Sequence, residues 1–286
     1  MNETTIRIYA AGLRRLYKIS PTFEYAAIAD YVRSKSAAVG RNILTPLIVY
    51  EGRERFGRLY DGFISEVREQ EGSQTFTAAE LENWTNPRAI TAGISRIKFD
   101  VERLKLFQPP RKLPAHLFKI LVQYVTLKLY REFHWRSDLK SVRIGKLAGH
   151  NHFDKKRFYL SKFKTSKHFA KKGLLPMVFT PSEGLERVIK KYLAVREKHD
   201  FDNDYFIVNM RGKPFTSATF NHFLTSTTFK YVGKKLGSSQ LRKIYVTAHL
   251  KGNPSLREKR AMARSMMQLS LVTHESYARL YTEDED

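Results

Sequence analysis

One short segment of this chain breaks an otherwise helical pattern and so limits the folds open to it. Apolar residues recur at helical spacing through most of the sequence, as in TIRIYAAGLRRLYK (5–18) and LPAHLFKILVQYVTLKLYREF (113–133). Between 157 and 180, RFYLSKFKT alternates apolar and polar residues, AKKG permits a turn, and LLPMVFTP is a second extended run. The sequence therefore predicts a mainly α fold with one small β-hairpin or sheet.

A polar stretch divides the chain into two predicted domains. Helical patterns, among them FEYAAIADYVRSK (23–35), continue to about residue 70, and EGSQTFT (71–77) is polar, contains glycine and is weakly periodic, as linkers are. Beyond it, a helix over 89–107 ends at QPPRKLP, and five further helical segments follow residue 180. We place a helical N-terminal domain at 1–76 and a second domain at 77–286.

Composition excludes several classes of protein. The chain has 286 residues, of which 42% are hydrophobic, enough for one large or two ordinary cores. It contains no cysteine, which excludes disulfides and thiolate zinc sites and favours a reducing compartment. The longest apolar runs, such as ILTPLIVY, are too short to span a bilayer, and the N-terminus does not resemble a signal peptide. We expect a soluble intracellular protein without a membrane partner.

The charge predicts a polyanionic partner and also shows where that partner binds. The chain carries 51 Lys+Arg against 28 Asp+Glu, a net charge of +23. Residues 1–80 hold 11 basic and 10 acidic residues, which leaves 51 − 11 = 40 basic and 28 − 10 = 18 acidic residues in 81–286. In the densest part, 140–172, Asp154 is the one acid. A nucleic-acid backbone is the favoured partner; an acidic membrane or protein surface is the alternative.

Four motifs in the basic part of the chain suggest an active site. FHWRSDLKSVRI contains Arg136, SKFKTSK contains Lys164, SSQLRKIYV contains Arg242, and MMQLSLVTHESYARL contains Tyr277. Each motif alone is weak. Their order, spacing and predicted elements together resemble the catalytic domain of the tyrosine recombinase (phage-integrase) superfamily, over most of residues 81–286. The near-neutral helical segment before it resembles that family's core-binding domain. The residue sequences of the motifs resemble those of divergent members of the family from viruses and mobile elements.

The resemblance implies a DNA breaking and rejoining reaction whose chemistry suits these residue types. Tyr277 would attack a phosphate, although a tyrosine hydroxyl, with an ordinary pKa near ~10, needs cationic neighbours to react near neutrality. Arg136 and Arg242 would clamp the non-bridging oxygens, because a guanidinium donates bidentate hydrogen bonds and keeps its charge when desolvated. Lys164, on the predicted hairpin, would protonate the leaving 5′-oxygen. No metal and no cofactor is expected.

Two positions depart from the family pattern. Ser239 stands three residues before Arg242, where a histidine (sometimes lysine or tyrosine) is usual. Gln268 stands nine before Tyr277, where histidine or tryptophan is usual. Both can donate a hydrogen bond to phosphate, but neither is a good acid or base near neutral pH. His274, one helical turn before Tyr277, is either a substitute or an exposed helix residue.

Several residues compete with the four proposed for catalysis, and others are candidates for binding DNA. The competitors are Arg131 and Arg143 for Arg136, Lys162 and Lys167 for Lys164, and Tyr281, on the same predicted helix face, for Tyr277. The residues predicted to contact DNA are Lys140, Arg143, Lys162, Lys167 and Lys243. His150 and His152 match no metal-binding spacing and are assigned to a loop facing DNA.

The sequence thus favours a site-specific recombinase or integrase that acts on double-stranded DNA. The family resemblance implies self-assembly on DNA as a dimer or tetramer, in the nucleus or another DNA-containing compartment of a host cell. Two alternatives stay open. One is an enzyme like the type IB topoisomerases or telomere resolvases, and the other is a catalytically impaired DNA-binding protein, which Ser239 and Gln268 favour.

Overall fold

The computed structural model describes residues 3–109 and 111–280 and separates into two compact units, residues 1–75 and 76–286. Unit 1 consists of α1 (Glu3–Tyr17), α2 (Tyr25–Arg33), α3 (Ala37–Glu51) and α4 (Gly57–Ser73). Its core is mostly aliphatic, with Leu16, Ile28, Leu44, Leu47 and Phe56 fully buried. These residues occupy apolar positions that recur at helical spacing. The core of unit 1 therefore forms where the apolar faces of its amphipathic helices pack together.

The predicted linker is shorter than the sequence suggests. α4 continues through Ser73, two residues past the predicted start of the linker, and Gln74 ends it in the left-handed conformation at φ 55°. The next helix begins at Ala78, with Thr77 as its N-cap. Four residues, 74–77, therefore connect the last helix of unit 1 to the first helix of unit 2.

Unit 2 contains a helical core and a four-stranded sheet. Its elements in chain order are α5 (Ala78–Glu82), α6 (Pro87–Arg103), α7 (Ala115–Phe133), a 3₁₀ turn (Ser137–Ser141), β1 (Arg143–Ile144), β2 (His152–Asp154), β3 (Arg157–Leu160), α8 (Ser166–Ala170), β4 (Met177–Phe179), α9 (Glu183–His199), α10 (Ser217–Val232), α11 (Ser238–Lys251), α12 (Leu256–Ser265) and α13 (Leu271–Glu275). The predicted mainly α fold with a small β element is confirmed.

The sheet has the order β1-β2-β3-β4, with β1 parallel to β2 and the other pairs antiparallel. Lys155 and Lys156, both at positive φ, form the tight turn between β2 and β3. The predicted strand–turn–strand over 157–180 corresponds to β3 and β4. The turn at AKKG is present, with the Gly173 N–H donating to the Ala170 carbonyl at 3.0 Å, but a loop and α8 precede it. Phe169, fully buried on α8, anchors this connection in the core, which alternation along the chain does not predict.

An aromatic cluster fixes the chain where α7 ends. His134 ends the helix in the left-handed conformation at φ 49°, and Trp135 follows with 1% of its surface exposed. Trp135 stacks on Phe133 at 4.7 Å and meets Phe158 of the sheet edge-on at 5.1 Å. Arg136, the next residue, is half-buried. The backbone that presents Arg136 is held between helix and sheet.

Candidate active site

Arg136 and Tyr277 lie 141 positions apart in sequence and contact each other directly. Nη2 of Arg136 donates a hydrogen bond to the Tyr277 hydroxyl oxygen at 2.7 Å. The hydroxyl of Tyr130, buried on α7, donates in turn to the backbone carbonyl of Arg136. A cationic donor therefore sits on the oxygen atom that the sequence proposes as a nucleophile.

Arg242 lies on the other side of Tyr277 and is fully buried. Its guanidinium carbon is 5.0 Å from the centre of the Tyr277 ring, and its Nη2 donates to the Met266 carbonyl at 2.9 Å. Nε and Nη1 have no hydrogen-bond partner among the described residues. Burial lowers the pKa of Arg242 to about 10, with Tyr277 opposing that shift and Arg136 adding to it. A buried guanidinium with two unsatisfied donors calls for an acceptor such as a phosphate oxygen.

Asp138 places a carboxyl group near both arginines. It lies in the 3₁₀ turn after Arg136, half-buried, and its Oδ2 has no partner among the described residues. Burial raises the pKa of Asp138, while Arg242 and Arg136 act in the opposite direction. The carboxyl thus offsets part of the positive charge that two neighbouring guanidinium groups concentrate.

Lys164 lies on the loop between β3 and α8, with its side chain exposed. The sequence placed it on a hairpin strand; the loop does join two antiparallel strands, but Lys164 follows the last residue of β3 by four. The adjacent Thr165 donates its hydroxyl to the Met267 carbonyl at 3.0 Å, next to the Met266 carbonyl that receives Arg242. The Lys164 loop is therefore anchored to the same backbone segment as Arg242.

Gln268 and His274 form a buried pair. His274 has no exposed surface, and its Nδ1 lies 3.0 Å from Oε1 of Gln268, so this nitrogen donates to the amide oxygen. Gln268 Nε2 makes a long 3.5 Å contact to the Thr273 carbonyl. Burial lowers the pKa of His274 to about 4, so the ring is neutral. The alternative of an exposed helix residue is wrong for His274, because it faces the interior.

Ser239 occupies the first turn of α11 and is exposed. It precedes Arg242 by three residues, which places it one helical turn away on the same helix. The two residues that depart from the family pattern therefore lie in different environments: Gln268 is buried beside His274, and Ser239 is exposed to solvent.

The candidate DNA-contacting residues differ in their surroundings. Lys162 and Lys167 are exposed, and Lys140 is half-buried. Arg143 pairs with Asp204 at 2.7 Å, and Lys243 forms an ion pair with Glu80. Lys162 and Lys167 are the two of these five with open side chains.

The competing candidates are placed differently. Arg131 is exposed on the last turn of α7, whereas Arg136 contacts Tyr277. Tyr281 lies outside the described residues. The helix predicted over LVTHESYARLY ends at Glu275, so Tyr277 lies in a turn and the helix face predicted to hold both tyrosines does not extend to it.

The assignment of His150 and His152 to one loop is wrong for His152, which is the first residue of β2. His152 is buried, its ring stacks on Tyr159 at 4.9 Å, and its Nδ1 contacts the His150 carbonyl. Within 3–109 and 111–280, no group of three or more His, Asp or Glu side chains is arranged to hold a metal ion. In the same residues, no helix is long and apolar enough to cross a bilayer.

Two residues beside Tyr277 were missed in the sequence. Arg279 donates to backbone carbonyls on both sides of Tyr277, and Glu80, on α5, binds Arg279. Thr77-x-x-Glu80 has the spacing of a capping box, which identifies Glu80 as a helix-start residue. Nothing in the sequence links it to a residue 199 positions away.

Comparison with solved structures shows the fold. The XerH site-specific recombinase, solved with a palindromic difH substrate as a post-cleavage complex, matches 96% of this chain and 76% of its own, with 14% identity and a TM-score of 0.55. The XerA recombinase matches 98% of this chain and 88% of its own, with 14% identity and a TM-score of 0.49. No protein-family profile and no curated protein sequence matches the chain. The XerH match shows that the chain has the fold of the tyrosine recombinases.

Proposed function

We propose that this protein is a tyrosine-recombinase-type DNA strand transferase that cleaves and rejoins double-stranded DNA through a 3′-phosphotyrosyl intermediate. The recombinase fold supports this proposal, and so does the basic charge of unit 2. The observation that carries it is the contact of Tyr277 with two arginines, one on its hydroxyl and one over its ring. Subunits would assemble on DNA to exchange strands.

The proposed reaction exchanges one phosphodiester bond for another. The Tyr277 oxygen attacks phosphorus and loses its proton to solvent or a nearby base, forming an O–P bond. The bond from phosphorus to the 5′-oxygen breaks, and Lys164 gives that oxygen a proton. A 5′-hydroxyl from another strand then gives its proton to Lys164 and attacks the phosphotyrosyl phosphorus. The bond from phosphorus to the Tyr277 oxygen breaks, that oxygen regains a proton, and the DNA is rejoined.

The arginines would stabilise the charge that develops in this reaction. Arg136 already donates to the attacking oxygen, so a cationic hydrogen-bond donor lies where the O–P bond forms. The two unsatisfied nitrogens of Arg242 would donate to a non-bridging oxygen of the phosphate in a site shielded from water. A phosphate is also the acceptor that this buried guanidinium lacks.

The Gln268–His274 pair suggests how the site works without the usual histidine. His274 holds the amide oxygen of Gln268, so the amide nitrogen is the end left to donate. Its long contact to the Thr273 carbonyl is weak enough to exchange for a phosphate oxygen. Gln268 would bind phosphate, while proton transfer would rest on Lys164.

A covalent trapping experiment tests the proposal. Duplexes enriched by binding from a random pool are nicked at successive positions, so that cleavage near a nick releases a short fragment and leaves protein on the DNA. Wild-type protein should form an adduct that survives denaturation, and Tyr277→Phe, which lacks only the hydroxyl, should form none. An adduct with Tyr277→Phe would mean that another residue is the nucleophile.

A modified substrate tests the acid separately. With sulfur replacing the bridging 5′-oxygen, the leaving group needs no proton, so Lys164→Ala should recover most of the lost rate whereas Tyr277→Phe stays inactive. If Lys162→Ala or Lys167→Ala recovered its cleavage rate on the sulfur substrate and Lys164→Ala did not, that lysine would be the general acid instead of Lys164.

The second candidate function is DNA binding without strand transfer. It is favoured by the neutral, buried state of His274 and the exposed serine at 239, which leave few groups for proton transfer. In that case selected duplexes bind tightly, yet neither the oxygen nor the sulfur substrate yields an adduct.

A further inference from the structure

A single carboxylate joins three elements around Tyr277. Oε2 of Glu80 accepts from Nε of Arg279 at 2.9 Å, and Oε1 accepts from Nη2 of the same residue at 3.2 Å. Lys243, the residue after Arg242 on α11, donates to Oε1 as well. Glu80 also caps its own helix, since its Oε2 accepts from the Thr77 backbone N–H at 3.3 Å.

Arg279 in turn grips the backbone on both sides of Tyr277. Its Nη1 donates to the Ser276 carbonyl at 3.2 Å and to the Ala278 carbonyl at 2.8 Å. Its own backbone N–H donates to the Thr247 hydroxyl on α11 at 2.9 Å. The turn that carries Tyr277 is thus tied to the helix that carries Arg242.

These contacts replace the support that a helix would give. α13 ends at Glu275, and among residues 3–109 and 111–280 the one backbone hydrogen bond of Tyr277 runs from its N–H to the His274 carbonyl at 3.1 Å. The Arg279 side chain, 8% exposed, therefore supplies much of the polar contact that orients this turn. A bidentate pair with a carboxylate fixes the plane of a guanidinium, whereas one without a partner can rotate.

We propose that Glu80 is a positioning residue for Tyr277 that acts through Arg279. The pair orients the guanidinium so that it holds the carbonyls flanking Tyr277, which keeps the hydroxyl against Arg136. This inference rests on the proposed function for its effect on cleavage, while its effect on the turn is independent of that function. Nucleophile placement matters because an error of about 1 Å costs on the order of 100-fold in rate.

The test compares two Glu→Gln substitutions of equal chemistry. Glu80→Gln removes the charge that binds Arg279 and Lys243. The control, Glu186→Gln, removes one ion pair of the same unit, to Lys156 at 2.6 Å, on the sheet side of α9. Glu80→Asp keeps the charge with a shorter reach and serves if Glu80→Gln folds poorly, since an unpaired buried arginine is destabilising.

Two measurements are made on each intact protein. The first is amide hydrogen exchange in the peptide spanning 269–280, without DNA. Glu80→Gln should speed exchange there, with peptides from α7 unchanged, and Glu80→Asp should give a smaller effect. The second is the single-turnover rate of adduct formation at saturating DNA, which should fall roughly 10- to 100-fold for Glu80→Gln. Glu186→Gln should match wild type in both.

A double variant tests the route through Arg279. If Glu80 acts through it, Glu80→Gln added to Arg279→Gln should slow adduct formation no further. Additive losses would overturn that route. The positioning role would be overturned if Glu80→Gln left exchange at 269–280 unchanged, or raised it equally throughout unit 2. A wild-type rate of adduct formation in Glu80→Gln would overturn it as well. If wild-type protein forms no adduct, the proposed function fails, and the exchange result alone decides whether Glu80 holds the turn.

Discussion

The two units differ in what they bury as well as in charge. Residues 1–75 hold 11 basic and 9 acidic residues, a net +2, whereas 76–286 hold 40 basic and 19 acidic, a net +21. Among the described residues, the one polar side chain that unit 1 buries is Ser20. Those buried by unit 2 are Gln123, Thr126, Asn151, His152, Arg196, Thr227, Thr228, Arg242, Thr247, Gln268, His274 and Arg279. Buried polar groups destabilise a fold unless they are satisfied, so unit 2 depends more than unit 1 on specific polar contacts in its interior.

Two buried arginines in unit 2 sharpen this comparison. Arg196 donates to the carbonyl and the side-chain oxygen of Asn203, at 2.8 and 3.3 Å, and so serves the fold. Arg242 has one carbonyl partner and two unsatisfied nitrogens. Burial lowers the pKa of both side chains. Nε of Arg196 also lacks a partner among the described residues, but Arg242 has two such nitrogens and contacts Tyr277, so we propose that Arg242 is the arginine retained for binding an anion.

Replacing each arginine by methionine should give opposite results. Arg242→Met should reduce adduct formation by about 100- to 1000-fold, because it removes phosphate donors, with stability unchanged or raised. Arg196→Met should leave the adduct rate near wild type while lowering the free energy of unfolding by about 1–3 kcal/mol. Trapping assays and urea denaturation measure the two effects. A stability loss in Arg242→Met with normal cleavage would reverse the assignment.

Acid should destabilise unit 2 selectively, since all nine histidines lie in it. Burial lowers the pKa of His134 and of His274 from 6.5 to about 4. Both contribute stability that is complete above pH 6.5 and is lost as the pH falls from 6.5 towards 4, because the unfolded chain binds the protons first. For His274 the loss reaches at most about 3 kcal/mol.

Hydrogen exchange between pH 7 and 4.5, corrected for intrinsic rates, measures this loss unit by unit. Protection in α11 and α13 should fall well before protection in α3. His274→Gln should flatten the pH dependence of unit 2, and a wild-type slope in that variant would exclude His274 as its source.

The smallest expected effect concerns salt and the surface lysines. Binding to duplex DNA should weaken steeply with salt, and replacing exposed Lys162 and Lys167 by glutamine should reduce the log–log slope by about 2. Replacing exposed Arg14 and Arg15 of unit 1 in the same way should change it less. If both double variants changed the salt slope equally, Arg14 and Arg15 of unit 1 would contribute as much phosphate contact as Lys162 and Lys167 of unit 2.

Periodicity and charge predicted much of this molecule. Helical spacing identified α1, α6 and α7, because a buried apolar stripe must recur every 3.6 residues wherever it packs. It overextended α13, where Arg279 folds back onto the Ser276 carbonyl and the chain turns. It also missed α8, whose single buried anchor, Phe169, is too little for a pattern.

By itself, the sequence determined the mainly helical fold with its small sheet, the location of the positive charge and the order of the four residues proposed for catalysis. These depend on residue type and local spacing, which any reader of the chain can see. The tertiary structure alone decided that Arg136 and Arg242 meet at Tyr277, that His274 is buried, and that Glu80 holds Arg279. Such contacts join residues up to 199 positions apart, and their energies depend on burial and geometry that local pattern does not encode.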